Sequence, residues 1–142
     1  MKTIYGWGRK KSGWKAIAFS KLSNNSKFIL REDGFIRSIG LGDDKSFSVV
    51  EDDFGIYYDA RRPSRLEYLL NNYDFNSDKK LIDQAKQALE LIRKYKISKY
   101  NNGSIISKDF FKNSSGENVL IIDQNKNDLS LKYGLTKKYN LN

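Results

Sequence analysis

The sequence predicts an α/β fold: a parallel sheet covered by helices in three layers. Three observations carry this. The chain opens strand, glycine-bounded basic turn, helix, strand. Residues 78–95 repeat apolar side chains at helical spacing. Residues 119–122 are an uninterrupted apolar run, as in a strand buried on both faces. The 142 residues, 39% of them hydrophobic, suit one domain.

Each element has a local reason. Residues 3–7 read as the first strand, followed by the turn Gly8-Arg9-Lys10-Lys11-Ser12-Gly13. Trp14, Ile17, Ala18 and Leu22 then fall on one helical face, and Asn24-Asn25-Ser26 ends that helix. Residues 28–30 read as the second strand, completing a βαβ opening that favours parallel pairing. Residues 31–59 are rich in glycine and carboxylates, with strand-like pieces at 47–50 and 56–58. Ser64 with Glu67 three positions on is a capping box opening a short helix after Pro63. Ser77 and Asp78 open the strongest helix, whose face is Leu81, Ile82, Ala85, Ala88, Leu89 and Ile92. The strand at 119–122 leads into the loop Asp123–Asp128, at the strand end where open α/β sheets place ligand chemistry. Lys137–Asn142 resembles the start of a covering helix, so the pattern reads as the front part of a longer unit, apparently truncated.

Composition narrows the chemistry. There is no cysteine and no histidine. Disulfides, thiolate nucleophiles, Ser-His-Asp catalysis and imidazole metal ligands are excluded. Any catalysis falls to carboxylates, Lys, Arg, Tyr, hydroxyls or backbone amides. The net charge is +9, with 19 Lys against 7 Arg. Solvated lysines from an AT-rich coding sequence account for that bias. An anionic partner is the alternative: nucleic acid, an anionic membrane surface, or a phosphorylated or carboxylated ligand. The N-terminus carries no apolar signal region, and no apolar run approaches a membrane span.

Four segments are candidates for chemistry, each with a plain structural alternative. Gly6–Gly13 offers backbone N–H groups and cations to an anion, or is a tight turn with solvated lysines; it fits neither the P-loop nor the dinucleotide fingerprint. Glu32-Asp33-Gly34-Phe35-Ile36-Arg37-Ser38 holds an acid-base group, or is a charged turn paired with itself. The carboxylates from Glu51 to Asp59 lack EF-hand spacing, and a solvated turn followed by a tyrosine-bearing strand is the expectation; no metal is expected. Asp123 and Asp128 are placed for catalysis or for capping the next turn.

In order and spacing these segments resemble the capsule polysaccharide biosynthesis family, the retaining β-Kdo transferases of Gram-negative capsule assembly. The resemblance rests on Gly6–Gly13, Glu32–Gly42, Asp53–Ala60 with Pro63–Glu67, Ser98-Lys99-Tyr100-Asn101, and Asp123-Gln124 through Ser130. It implies one Rossmann-like half of a GT-B-type glycosyltransferase, with residues 1–142 as the N-terminal, acceptor-side domain. The C-terminal nucleotide-sugar domain, with its His-Pro motif, would be missing or supplied by another chain. CMP-Kdo is the implied donor and a phosphatidylglycerol-linked lipid the implied acceptor, at the cytoplasmic face of the inner membrane, with no cofactor. Asp128 matches the family's nucleophile and Glu32 the base. Arg9 and Lys10 are assigned to the anionic acceptor or the donor carboxylate. Asp33, Arg37, Ser38, Tyr58, Asp123 and Gln124 are assigned to substrate binding. Asn125-Lys126 departs from the threonine and aromatic that often follow Asp-Gln in the family. The chain alone is expected not to turn over CMP-Kdo and to expose an apolar edge. An inactive remnant of a split gene and a basic nucleic-acid-binding domain are the alternatives, the latter disfavoured by scattered cations.

Overall fold

A parallel strand pair joined by a helical crossover organises the molecule. The computed structural model describes residues 1–41, 45–112 and 116–135. Strands β1 (Lys2–Trp7) and β2 (Ser26–Asp33) pair in parallel, from Lys2 opposite Ser26 to Trp7 opposite Arg31. Helix α1 (Lys11–Lys21) connects them and packs on both. The βαβ opening is therefore present.

The buried face of α1 differs from the expected one. Gly13, Ala16 and Ile17 are buried, whereas Trp14, Ala18 and Leu22 are exposed. The cause is the approach of the turn to the helix. A Cβ at Gly13 would overlap the Gly8 carbonyl oxygen, so the chain turns that glycine inward and the face around it follows.

The sheet is mixed rather than all-parallel. Strand β3 (Val49–Asp52) runs antiparallel to β2, with Val49 opposite Asp33 and Asp52 opposite Leu30, giving the order β1-β2-β3. A parallel return needs a long crossover, usually helical. The chain instead folds back on itself before β3, with Gly34 N–H donating to Ser48 O at 2.9 Å and Phe47 N–H to Arg37 O at 2.7 Å. Two expected strands are also corrected. Residues 56–58 form a turn, and residues 119–122 pair with no strand among the described residues and are 77–86% exposed. An apolar run records that a segment can be buried, not that a partner lies beside it.

The remaining helices start where their caps place them. The Ser64 hydroxyl accepts from Glu67 N–H at 3.1 Å and starts α2 (Arg65–Asn72). Asp78 accepts from Leu81 N–H at 2.9 Å and starts α3 (Lys79–Tyr95). Asp128 starts the short α4 (Leu129–Tyr133). No residue of α2 or α3 is buried. Among the described elements α1 alone packs extensively on the sheet, so these residues form two layers rather than three. The face of α3 read from the sequence is present but uncovered. No helix among the described residues is long and apolar enough to cross a membrane. Lys137–Asn142 lies outside the described residues.

The core is small and partly polar. Ile17, Leu30 and Ile56 form its centre, with Phe28 and Tyr58 against them. The largest fully buried side chains also include Asp52, Asp59 and Ser38. The expectation of a solvated acidic turn fails at Asp52 and Asp59. Asp52 accepts from the N–H groups of Phe54, Gly55 and Arg65 at 2.8, 2.7 and 2.9 Å, joining β3 to the start of α2. Backbone donors and arginines replace the water such carboxylates would otherwise need.

Candidate active site

The C-terminal ends of β1 and β2 bring the first two sequence candidates together. Glu32, half-buried on β2, accepts from the Tyr58 hydroxyl at 2.9 Å, and that hydroxyl accepts from Arg9 N–H at 2.8 Å. Gly8 stands between them with φ +33°, and a Cβ there would overlap the Glu32 carboxylate and the Tyr58 hydroxyl. The Arg9 guanidinium is almost wholly buried and donates to Asp59 at 2.6 Å. Asp59 also accepts from Arg61 Nε at 2.8 Å and Arg61 Nη2 at 2.9 Å. Arg61 lies over the buried Tyr133 ring of α4 at 4.4 Å, and Arg9 over Trp14 at 5.0 Å. The sequence-predicted substrate ligand Arg9 is thus held by Asp59, a residue the sequence reading left in a solvated turn.

Electrostatics separate these groups. Burial raises the Glu32 carboxyl above its ordinary value, opposed by the Tyr58 hydrogen bond and the Lys10 charge. Asp59 is held well below the usual carboxylate range, first by Arg61 and also by Arg9. Burial pushes the Tyr58 phenol far upward, so it stays protonated.

Asp33, Arg37 and Ser38 form a second cluster. Arg37 donates to Asp33 at 3.1 Å and to the Ser38 hydroxyl at 2.9 Å, and Ser46 also donates to Asp33. The buried Ser38 hydroxyl donates to Gly40 O at 2.6 Å. Residues 98–101 dock here. Arg37 and Gly40 N–H groups donate to Lys99 O and Tyr100 O at 2.8 and 2.6 Å, and Asn101 Nδ2 donates to Ser38 O at 3.2 Å. A cleft of about 410 Å³ opens beside this cluster, lined by Trp7, Lys10, Arg31, Asp33, Arg37 and Lys45 among others.

Asp123, Gln124 and Asp128 are exposed. Asp128 accepts from Ser130 N–H and from Gln124 Nε2, each at 2.8 Å, while Gln124 N–H donates to Asp123 at 2.7 Å. The Ser130 amide is the first cause of the lowered Asp128 carboxyl, so this carboxylate is ionised and caps α4. The loop reaches the first network through α4, where Ala60 N–H donates to Tyr133 O at 3.0 Å. Tyr57 ties the two ends: burial first, then the charges of Glu32, Asp128 and Asp33, raise its phenol. These three carboxylates therefore bear on one hydroxyl, although Glu32 and Asp128 are 96 positions apart in sequence.

A family model described as capsule polysaccharide biosynthesis protein matches residues 2–139. The chain belongs to the capsule polysaccharide biosynthesis protein family. The capsule polysaccharide modification protein LipA of Neisseria meningitidis serogroup A is 42% identical to it over 137 residues, and the chain covers 19% of LipA. The lipopolysaccharide-processing protein LpsZ of Rhizobium meliloti is 34% identical over 113 residues, 26% of its length. Among solved structures, Thermosulfurimonas dismutans KpsC, a β-Kdo 2,4 transferase, is 42% identical with a TM-score of 0.79; 94% of this chain covers 41% of that one. A second, the β-Kdo 2,7 transferase of the same organism's KpsC, is 28% identical with a TM-score of 0.62 and is covered over 37%. The chain therefore spans less than half of each of these proteins.

Within this capsule-family chain, the segments quoted from the sequence meet in space. Glu32 and Tyr58 share a hydrogen bond, and the Ser98–Asn101 segment docks on Arg37–Gly40. Sequence reasoning missed Asp59 as the holder of Arg9, and Arg61 as the second arginine that Asp59 binds. The signal lay in Ile56-Tyr57-Tyr58-Asp59-Ala60, where Asp59 follows apolar and aromatic residues and stands two positions before Arg61.

Proposed function

We propose that this chain forms the acceptor-side half of a retaining β-Kdo transferase, acting with a nucleotide-sugar half on another segment or chain. The observation that carries the reading is the half-buried Glu32 carboxylate at the end of β2, hydrogen-bonded by Tyr58 at 2.9 Å, with the helix that Asp128 caps tied to the same network through Ala60 N–H and Tyr133 O. The 42% identity and 0.79 TM-score to a β-Kdo 2,4 transferase support the reaction class.

In this reading the donor is CMP-Kdo. An ionised Asp128 oxygen attacks the anomeric carbon, and CMP departs with the electron pair of the broken bond. The acceptor hydroxyl then attacks the same carbon, Glu32 takes its proton, and Asp128 leaves with the pair it had shared. Two inversions retain the configuration. The lowered Asp128 carboxyl suits a nucleophile, and the raised Glu32 carboxyl suits a group that gains a proton. The cleft lined by Trp7, Lys10, Arg31, Arg37 and Lys45 supports an acidic sugar, with cations for the carboxylate and the indole for a pyranose face. The acceptor is a phosphatidylglycerol-linked lipid, which places the enzyme at the cytoplasmic face of the inner membrane.

The test uses this chain fused to a matching C-terminal half. Asp128→Asn abolishes transfer while CMP-Kdo still binds, and the unmutated fusion yields a Kdo adduct on the peptide containing Asp128. Near-normal transfer by the Asn variant, or an adduct on Glu32, overturns the assignment.

A further inference from the structure

The resemblance assigns Tyr58 to substrate, but its hydroxyl is already engaged on both sides. It accepts from Arg9 N–H at 2.8 Å and lies 2.9 Å from Glu32 Oε1. A phenol has one proton, and the amide occupies a lone pair, so the proton points to Glu32. Oε1 is thereby held as an acceptor, and a proton gained by Glu32 goes to Oε2. We infer that Tyr58 is a positioning residue that fixes the Glu32 carboxyl group and reserves Oε2 for the proton of the acceptor hydroxyl. The inference rests on the reading of Glu32 as the base.

Two further features built into the fold serve this arrangement. Tyr58 holds the main chain of Arg9 while its neighbour Asp59 holds the Arg9 side chain at 2.6 Å, so two consecutive residues clamp one. Gly8, at φ +33°, leaves the space in which Glu32 and Tyr58 meet. The groups acting on Glu32 come from three places: Trp7 and Lys10 around the β1–α1 turn, Asp33 on its own strand, and Tyr58 from the 56–59 turn. Tyr58, Lys10 and Trp7 favour the ionised form, whereas burial and Asp33 oppose it.

The experiment is a pH titration of the full chain, followed by NMR with 13C at the glutamate side-chain carboxyls. The chain has five glutamates, and Glu32→Gln identifies the Glu32 signal by its loss. Tyr58→Phe keeps the ring and removes the donor. The Glu32 midpoint rises by about one pH unit, the size of one hydrogen bond to a charged group. An unchanged or lowered midpoint, with a native amide spectrum, overturns the inference. A readout without that variant is the Tyr58 ring carbon bearing the hydroxyl, labelled in the wild-type chain. Its resonance inflects at the Glu32 midpoint and loses that inflection in Glu32→Gln; no inflection in the wild type overturns the inference. In the fused enzyme, Tyr58→Phe lowers kcat at constant acceptor KM, whereas a rise in KM alone makes Tyr58 a substrate ligand and refutes positioning. Full transfer by Glu32→Gln refutes the base reading instead, and leaves the NMR coupling intact.

Discussion

Replacing Asp59 by alanine tests the buried network most directly. The Asp59 and Arg9 side chains are 0% and 2% exposed, while Arg61 is 44% exposed. The two ion pairs therefore differ in weight. Removing Asp59 strands the Arg9 charge in the interior, a loss of about 3–5 kcal/mol, whereas an exposed pair contributes about 0–1 kcal/mol. Domains of this size have total stabilities of about 5–15 kcal/mol, so the loss is a large fraction. Urea unfolding of the full chain reads it as a midpoint lower by roughly 2 M, for a slope of about 2 kcal/mol/M. Arg9→Met in the Asp59→Ala background removes the stranded charge. The double variant should then lose less than the sum of the singles, by about 1–3 kcal/mol. A loss under about 1 kcal/mol for Asp59→Ala, or additivity within about 0.3 kcal/mol, refutes the reasoning. The pH dependence has a definite sign. The folded Asp59 carboxyl is depressed below its unfolded value of about 3.9, so its stabilisation is complete above that pH and drains as pH falls below it. Asp59→Ala should lose that part of the acid dependence.

Glu32 has the opposite sign, because its folded carboxyl is raised: stability falls as pH climbs above the unfolded value of about 4.3, and Glu32→Gln removes that slope in denaturant titrations run at several pH values. Gly8→Ala forces a side chain to φ +33° against Glu32 and Tyr58, and should lower the urea-unfolding free energy by about 1–3 kcal/mol or more; a neutral result would show that the turn relaxes. Asp128→Asn keeps an N-cap acceptor and should leave the stability within about 0.5 kcal/mol of wild type, so its effect on transfer is read free of unfolding. Ile121→Ser changes a side chain 77% exposed and should also stay within about 0.5 kcal/mol in the isolated chain; a larger loss would mean that residues 119–122 are buried after all.

Much of the local structure was legible in the residues. The βαβ opening follows from an apolar strand, a glycine-bounded turn and helical spacing, all read over a few neighbouring positions. Ser64 and Asp78 start their helices because a capping oxygen acts on amides two or three residues away. The apolar period of α3 made a helix for the same reason: periodicity is a property of the segment itself. Glu32, Arg9 and Tyr58 were all named from the sequence as site candidates, and they do meet.

What the tertiary structure decided depends on partners distant in sequence. The direction of β3 follows from the backbone hydrogen bond that closes Gly34 on Ser48. The exposure of residues 119–122 and of the α3 face follows from which surfaces lie beside them, which no local pattern encodes. Asp52 and Asp59 read as solvated because carboxylates usually are, and only folding brings the amides and arginines that hold them inside. Tyr58 shows the difference most clearly. Its identity could be read as a ligand for substrate, but one phenolic proton placed between an amide 49 positions away and a carboxylate 26 positions away binds the fold to its own proposed base.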